Sequence, residues 1–305
     1  MRDYPLNYLF TNVVFVVKKI VVASGKGGTG KTTVSLNLYR RFSMDGEDVV
    51  LYDCDVEEPN DALFFPEKIM IENKPVNQLI PVIDSEKCQF CRKCVTYCEF
   101  NAIVIIPSVK LAQVNSDLCH SCGACSVACP FDAIIEKPES IGQIAKYDIG
   151  FGQGLLEGRL QIGSSMQTML IKELKNEFPE QGSLVIYDAP PGTSCPVVET
   201  VADADYVILV TEPTPFGLHD LKLTVELLDE LEKPYGVVIN KSGLGNHETH
   251  EFLSRKGIEI LGEIPFSREY AAEYAAGNLF ENVPEEFETV YQQITGKVGH
   301  HLAEL

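Results

Sequence analysis

The chain has 305 residues and a formal net charge of −19, because 44 acidic residues outnumber 25 basic ones. This length allows one large α/β domain and a smaller one. The negative charge repels polyanions, so nucleic acids and anionic membrane surfaces are poor partners. No apolar stretch is long enough to span a bilayer and no signal-peptide cleavage pattern is present, so we expect a cytoplasmic protein. Ten cysteines without a secretion signal indicate metal or redox chemistry rather than disulfides.

Residues 1–16 precede the first predicted strand and add no recognisable element. Because Val17–Ile20 resembles a translation start, one hypothesis is that the native protein begins there. The intact mass of the protein from its native source would decide it.

A glycine-rich turn follows the first predicted strand, Ile20–Ala23, and leads into a segment with apolar residues at helical spacing. Glycines allow backbone conformations in which successive N–H groups face an anion, and the helix start adds partial positive charge. The pattern predicts a phosphate-binding loop for ATP, in which Lys31 reaches the β- and γ-phosphates and Thr32 ligates Mg²⁺. A turn that serves only packing is the alternative. The predicted nucleotide-binding residues here are Gly25, Gly27, Gly28, Thr29, Gly30, Lys31, Thr32 and Thr33.

Two further apolar strands end in aspartates. Val49–Tyr52 is followed by Asp53 and Asp55, and Leu184–Tyr187 is followed by Asp188. Because ligands bind at the carboxyl ends of parallel strands, we expect these carboxylates beside the phosphate loop. Turn or helix-cap roles are the alternatives.

The chain then changes composition and repeats itself. The run C-x2-C-x2-C-x3-C from Cys88 to Cys98 recurs 31 residues later from Cys119 to Cys129. This is the bacterial ferredoxin arrangement, in which the fourth cysteine of each run ligates the other cluster. The pattern therefore predicts two [4Fe–4S] clusters. Their ligands would be Cys88, Cys91, Cys94 and Cys129 for the first cluster, and Cys119, Cys122, Cys125 and Cys98 for the second.

Zinc is the main alternative, since paired C-x2-C motifs often bind it. In both runs, however, a third cysteine follows the C-x2-C pair after two more residues, and this spacing favours a [4Fe–4S] cluster. The two runs differ after their last cysteine: Pro130 follows Cys129, whereas Glu99 follows Cys98. This difference places a carboxylate near the second cluster without removing a ligand.

Lys26, directly after the first glycine, gives the form Lys-Gly-Gly-Thr-Gly-Lys-Thr. This form resembles the deviant P-loop of the MinD/ParA/Mrp and nitrogenase iron protein superfamily. The resemblance implies an α/β fold with a mostly parallel, doubly wound P-loop NTPase sheet. It also implies a homodimer in which Lys26 crosses the interface to the partner's nucleotide. A solvated lysine is the alternative.

The same resemblance implies catalytic roles for Lys26, Lys31 and Asp55, the last orienting the attacking water. It implies Mg²⁺ ligation or support by Thr32, Asp53 and Asp188, and adenine recognition by Asn240, for which a turn asparagine is the alternative. We expect residues 1–80 and 139–305 to form the ATPase domain. Residues 81–138 would be an inserted ferredoxin-like α+β domain.

Two cysteines lie outside the repeat. Strand alternation turns the thiol of Cys54 away from the site, so we interpret it as a core residue. Cys195 lies seven residues after Asp188, the spacing of a subunit-bridging cluster ligand in the nitrogenase iron protein. One hypothesis is transient contact with a cluster across the dimer, and an inert thiol is the alternative.

Three functions fit these features. The first is ATP-dependent assembly or delivery of iron–sulfur clusters to an apo-acceptor, as in Mrp relatives. The second is ATP-gated electron transfer to a redox partner, as in the nitrogenase iron protein. The third, spatial organisation as in MinD or ParA, is disfavoured, because the acidic chain lacks a basic C-terminal helix. A C-terminal C-x-x-C, common in Mrp-type carriers, is also missing after Cys195.

Overall fold

A computed structural model of the chain describes residues 17–150, 154–177 and 184–304, so the hypothesis about residues 1–16 lies outside the described residues. The strands are β1 Lys18–Ala23, β2 Val49–Asp53, β3 Ile69–Ile83, β4 Ile103–Ile106, β5 Leu111–Val114, β6 Ile134–Asp148, β7 Gly154–Leu160, β8 Leu184–Asp188, β9 Tyr206–Thr211, β10 Tyr235–Ser242 and β11 Ile260–Pro265. The helices are α1 Lys31–Met44, α2 Lys93–Thr96, α3 Ala124–Ala128, α4 Gln167–Lys175, α5 Cys195–Val201, α6 Pro215–Glu230, α7 Glu248–Lys256, α8 Arg268–Ala276 and α9 Glu285–Ala303.

A nine-stranded sheet forms the body of the protein, in the order β11-β10-β9-β1-β8-β2-β7-β6-β3. Neighbouring strands from β11 to β7 are all parallel. The central strands are short runs of apolar, mostly β-branched residues, as expected of strands buried on both faces. The mostly parallel α/β fold is therefore confirmed.

Helices cover both faces of this sheet, and a separate apolar core lies on each. One core contains Leu170 of α4, Val197 of α5 and Leu221 of α6. The opposite core contains Leu38 of α1 and Tyr291 of α9. This arrangement is doubly wound, and it leaves the carboxyl ends of the strands as an open edge for a ligand.

A long antiparallel ribbon is the part of the sheet that the sequence patterns do not predict. β3 and β6 pair along their whole length, from Ile69 opposite Asp148 to Ile83 opposite Ile134. β6 pairs with β7 only from Gly142, so its residues 134–141 extend beyond Leu160, the carboxyl end of β7. At about 3.3 Å per residue, this part of the ribbon is about 25 Å long. Because β7 is parallel to β2, the ribbon projects from the carboxyl edge of the sheet.

Residues 84–133 join the far ends of the ribbon and carry the two cysteine runs. They contain the short helices α2 and α3 and a two-stranded sheet of β4 and β5. The predicted domain boundaries after residues 80 and 138 lie within β3 and β6, so the division into domains stays a prediction.

Within the described residues, none of the helices combines the length and the apolar character that a membrane span requires.

A buried lysine joins α4 to the loop after α5. Lys175 lies 2.5 Å from an Asp203 carboxylate oxygen, and Lys19 of β1 lies 2.5 Å from the other oxygen. Lys175 also donates to the Glu199 and Thr200 carbonyls. Partial burial opposes the charge of Asp203, but the hydrogen bonds from Lys175 and Lys19 outweigh it and hold its pKa below the ordinary value. The carboxylate thus stabilises an otherwise unpaired buried cation.

We expect Asp203→Asn to lower the free energy of unfolding at pH 7 by about 1–2 kcal/mol, because Lys175 loses its counter-ion. Folding lowers the pKa of Asp203. The stabilisation by its carboxylate is therefore fully present above the unfolded-state pKa of about 3.9, and it is lost as the pH falls through the folded-state pKa. Thermal unfolding at pH 7 and at pH 3 measures it. Asp45→Asn is the control, because Asp45 pairs with Arg41 on the surface and should matter by less than about 0.5 kcal/mol. Equal effects of the two substitutions at pH 7 would contradict the prediction.

Candidate functional site

The glycine-rich turn joins β1 to α1 and forms one wall of a cavity. Gly30 has a φ of 92°, and a Cβ atom at this position would lie 2.1 Å from the Asn240 side-chain nitrogen. The cavity has a volume of about 400 Å³. It runs from Lys31 and Thr32 to Pro265 and Phe266 at the end of β11. Its size and its position at the start of a helix suit a nucleotide, with the phosphates at the turn.

Lys31 and Asp188 form a buried ion pair at the base of this cavity. The Lys31 ammonium lies 3.1 Å from Oδ1 of Asp188. The Thr32 and Ser35 hydroxyls donate to the same carboxylate at 2.8 and 2.7 Å. Burial acts to lower the pKa of Lys31, but Asp188 and Asp55 outweigh it and raise the pKa above its ordinary value. Lys31 is therefore a fixed positive charge where the phosphates are predicted.

Asp53 and Asp188 lie opposite each other on the neighbouring strands β2 and β8. Asp53 accepts hydrogen bonds from the backbone N–H groups of Asp55, Asn60 and Asp61 at 2.8–3.1 Å. Oxygens of Asp53, Asp61 and Asp188 all lie within 4.8 Å of one another. Burial, and then Asp188, raise the pKa of Asp53. An all-oxygen set of this kind suits a hard divalent cation such as Mg²⁺.

Sequence reasoning did not find Asp61. It follows Asp53 by eight residues and lies in no predicted strand, so only the loop of residues 54–60 brings it back to the strand ends.

Asp55 lines the cavity, where a water-orienting carboxylate is predicted. Burial raises its pKa to about 6, with Lys31 acting in the opposite direction and Asp188 adding to the rise. The pKa of Asp55 therefore lies close to neutral pH, which suits a carboxylate that holds a water molecule.

Lys26 pairs with a residue of its own chain. Its ammonium lies 2.5 Å from Oε1 of Glu212, and the Lys241 ammonium lies 3.1 Å from Oε2. Lys241 also donates to the Gly28 carbonyl at 2.9 Å. Glu212 follows the end of β9, so the strand-end rule used for Asp53 and Asp188 also covers this residue, which sequence reasoning missed.

Asn240 lies at the cavity wall, but its side chain faces the turn. Its Nδ2 donates to the Thr29 carbonyl at 2.7 Å, and its Oδ1 accepts from the Lys241 N–H at 2.9 Å. Adenine recognition by Asn240 stays a prediction.

The eight repeat cysteines form two quartets, divided as the ferredoxin pattern predicts. One small cavity is lined by Cys88, Cys91, Cys94 and Cys129, and a second is lined by Cys98, Cys119, Cys122 and Cys125. In each quartet, the fourth cysteine comes from the other run.

The backbone around the cysteines repeats as the sequence does. Positive φ values occur at Phe90, Arg92 and Asn101, and again 31 residues later at Ser121, Gly123 and Asp132. In this left-handed conformation the chain curls, so that successive N–H groups face inward. One such group, that of Phe90, donates to the Cys88 sulfur at 3.4 Å.

The sulfur spacing bears on which metal the quartets suit. In a tetrahedral zinc site with Zn–S bonds near 2.3 Å, the sulfur atoms are about 3.8 Å apart. Across residues 17–150, 154–177 and 184–304, the one group of three or more potential ligands within 4.8 Å of one another consists of aspartates. Among these residues, no three cysteine sulfurs therefore lie as close to one another as a tetrahedral zinc site requires. Burial raises the pKa of Cys94, Cys119 and Cys125, so metal binding there would release protons.

The remaining cysteines differ in exposure. Cys54 is buried in the core that contains Leu170, as predicted. Cys195 is exposed and is the first residue of α5, after the loop that follows Asp188. Its contact with a cluster across a dimer stays a hypothesis.

We expect Gly30→Ala to weaken nucleotide binding at least tenfold, because its Cβ would overlap Asn240 and its φ disfavours side chains. Titration with a fluorescent ATP analogue measures it. Gly46→Ala is the matched control, since Gly46 has a similar φ of 90° but open space around it. Both substitutions should cost stability by about 1 kcal/mol through backbone strain, and only the first should affect binding. Equal affinity in the two variants would contradict the prediction.

Comparisons with known proteins agree with this geometry. A family model described as the CobQ/CobB/MinD/ParA nucleotide-binding domain matches residues 20–280. An uncharacterized protein of Methanocaldococcus jannaschii is 36% identical over 232 residues, which are 76% of this chain and 80% of that protein. An iron–sulfur cluster carrier protein of the same organism is 23% identical over 313 residues, covering 94% of this chain and 87% of the relative.

A solved structure of the septum site-determining protein MinD from Pyrococcus horikoshii, complexed with Mg-ADP, superposes with a TM-score of 0.53. The match covers 93% of this chain and 96% of the MinD chain at 16% identity, and it shows a common fold. With the match over residues 20–280, the phosphate loop and the strand-end carboxylates, the chain belongs to the CobQ/CobB/MinD/ParA family of nucleotide-binding proteins.

Proposed function

We propose that this protein is an ATP-hydrolysing iron–sulfur protein that assembles or delivers iron–sulfur clusters. The observation that carries the proposal is the placement of two cysteine quartets on a ribbon that projects from the same sheet edge as the nucleotide cavity. The similarity to proteins named iron–sulfur cluster carriers supports it. The cluster is then cargo, and the ATPase domain controls its release.

Each residue at the cavity would have a separate role in ATP hydrolysis. Lys31 binds the phosphates, and its pairing with Asp188 keeps it in place beforehand. Asp55 holds the attacking water and accepts its proton. Mg²⁺, held by Thr32, Asp53 and Asp188, would neutralise phosphate charge.

Lys26 has a role only if two subunits meet. In the single chain its ammonium is held by Glu212, at the rim of the cavity. We propose that ATP brings two chains together face to face and that Lys26 then leaves Glu212 for the partner's phosphates. Lys241 already shares Glu212, so this carboxylate keeps a counter-ion after Lys26 has left.

This dimer predicts complementation between two inactive variants. Lys26→Ala and Asp55→Asn should each lower ATP hydrolysis by about 10³-fold, since one removes charge stabilisation and the other the water ligand. In a mixed dimer, the Lys26→Ala chain keeps its own Asp55 and receives Lys26 from its partner. Mixing the two variants should therefore restore hydrolysis, measured as phosphate release. Each variant alone at the same total concentration is the control, and no gain on mixing would contradict a role in trans.

Electron transfer is the second candidate, and one observation favours it. Eight of the ten cysteines line two small cavities, four in each, while Cys54 is buried and Cys195 is single. No cysteine pair is left over to hold an additional, exchangeable cluster. On this alternative, both clusters stay bound and ATP changes their reduction potential or their exposure.

Cluster release separates the two candidates. We expect the anaerobically purified protein, incubated with Mg-ATP and an apo-acceptor protein, to lose EPR-detectable cluster while the acceptor gains it. Lys31→Ala is the control, because it removes the phosphate ligand and leaves both quartets intact. If instead both clusters stay bound and their reduction potential shifts when ATP is added, the result would contradict cluster delivery and support ATP-gated electron transfer.

A further inference from the structure

We propose that Asp61 joins Asp53 and Asp188 in a carboxylate site that binds a hard divalent cation, of the Mg²⁺ and Mn²⁺ class, before any nucleotide binds. The inference deepens the proposed function and rests on it, because the same cation would then serve ATP hydrolysis.

The chain brings the three carboxylates together from three elements. Asp53 and Asp188 end neighbouring parallel strands and lie directly opposite each other. Asp61 begins the short 3-10 helix Asp61–Phe64, and its backbone N–H donates to Oδ2 of Asp53 at 3.0 Å. That bond fixes Asp61 beside Asp53, and oxygens of all three side chains lie within 4.8 Å of one another.

The hydrogen bonds of these carboxylates are unequal. Asp188 accepts from Lys31, Thr32 and Ser35. Asp53 accepts from backbone N–H groups alone. Asp61 has a fully buried side chain, and neither of its oxygens has a hydrogen-bond partner within the part of the chain that the structure describes.

A buried carboxylate without a partner is costly, since it loses its hydration and gains nothing in return. A cation among the three carboxylates would give the Asp61 carboxylate a partner. The donor set consists of oxygens only, which selects a hard cation over the softer metals that prefer imidazole or thiolate.

The charge of the site also favours a cation. Asp53, Asp61 and Asp188 repel one another in a fully buried place, and the Lys31 ammonium contacts Asp188 at 3.1 Å. Glu157, next to Asp53 on β7, adds to the repulsion at Asp61, although Arg159 lies 2.9 Å from its carboxylate. A divalent cation would offset this repulsion.

The number of protein ligands explains why nucleotide would not be needed first. Mg²⁺ in phosphoryl-transfer sites is usually held by one or two carboxylates together with substrate phosphates. Here Asp61 supplies a third carboxylate, which takes the place of a phosphate oxygen. The cation would wait beside Lys31 and Thr32, and ATP would bind to a site already loaded with metal.

The test is a Mn²⁺ titration of the cluster-loaded, nucleotide-free protein, followed by the EPR signal of free Mn²⁺. We expect wild-type protein to remove about one Mn²⁺ per chain from solution, and Asp61→Asn to weaken this binding at least tenfold, as lost metal contacts typically do. Glu57→Gln is the matched control, because it removes one negative charge from an exposed neighbour of Asp55. Its Mn²⁺ affinity should equal that of wild type.

A second measurement does not depend on the variant folding. Mg²⁺ added to nucleotide-free wild-type protein should raise its melting temperature relative to EDTA, because the cation binds only the folded chain. Asp61→Asn, if folded, should melt at the same temperature in both. No Mn²⁺ uptake by wild type, or equal uptake by Asp61→Asn, overturns the inference.

The measurements distinguish failure of this inference from failure of the proposed function. Wild-type protein that hydrolyses ATP but takes up no Mn²⁺ without nucleotide would overturn this inference alone. Protein that takes up Mn²⁺ but neither hydrolyses ATP nor carries clusters would overturn the proposed function and leave the cation site standing.

Discussion

The ion pair of Lys31 and Asp188 is the contact on which the nucleotide site depends. It joins the first turn of α1 to the end of β8, and both side chains are buried. Neither residue could be buried alone, because an unpaired charge in the interior is strongly unfavourable. The phosphate loop is therefore held against the carboxylates of β2 and β8 before a ligand arrives. The preorganised lysine is ready to exchange one anion, the aspartate, for another, the phosphate.

Strand direction connects this site to the cysteine centres. The parallel strands bring the aspartates to one edge of the sheet, and β6 leaves the sheet at that same edge. Both kinds of chemistry therefore share one side of the molecule, although they are far apart in sequence. A change in the loops after β2 or β8 would act close to the base of the ribbon. For either proposed function, coupling between nucleotide and clusters would have to pass along the ribbon, from its base to the cysteine quartets at its far end.

Local patterns predicted the elements with a strong local signal. The phosphate loop, the strands ending in Asp53 and Asp188 and the division of the cysteines follow from spacing, because each is specified by residues close in sequence. The ribbon does not, since β3 and β6 lie more than fifty residues apart and neither alternates cleanly along its length. Asp61 and Glu212 were missed for a related reason. The partners of both come from elsewhere in the fold. No local pattern marks Asp61, whereas Glu212 follows the end of β9, where the strand-end rule could have found it.

The position of β3 has a consequence for solubility. Among the residues that the structure describes, β3 is the last strand of the sheet, and one side of its backbone has no strand paired to it along the ribbon. Free strand edges can add a strand from another molecule and so promote aggregation. β3 contains Pro75 and Pro81, which have no N–H to donate and are typical of edge strands, and Lys74 places a charge beside the first of them. The edge strand therefore carries residues of the kind that oppose strand addition.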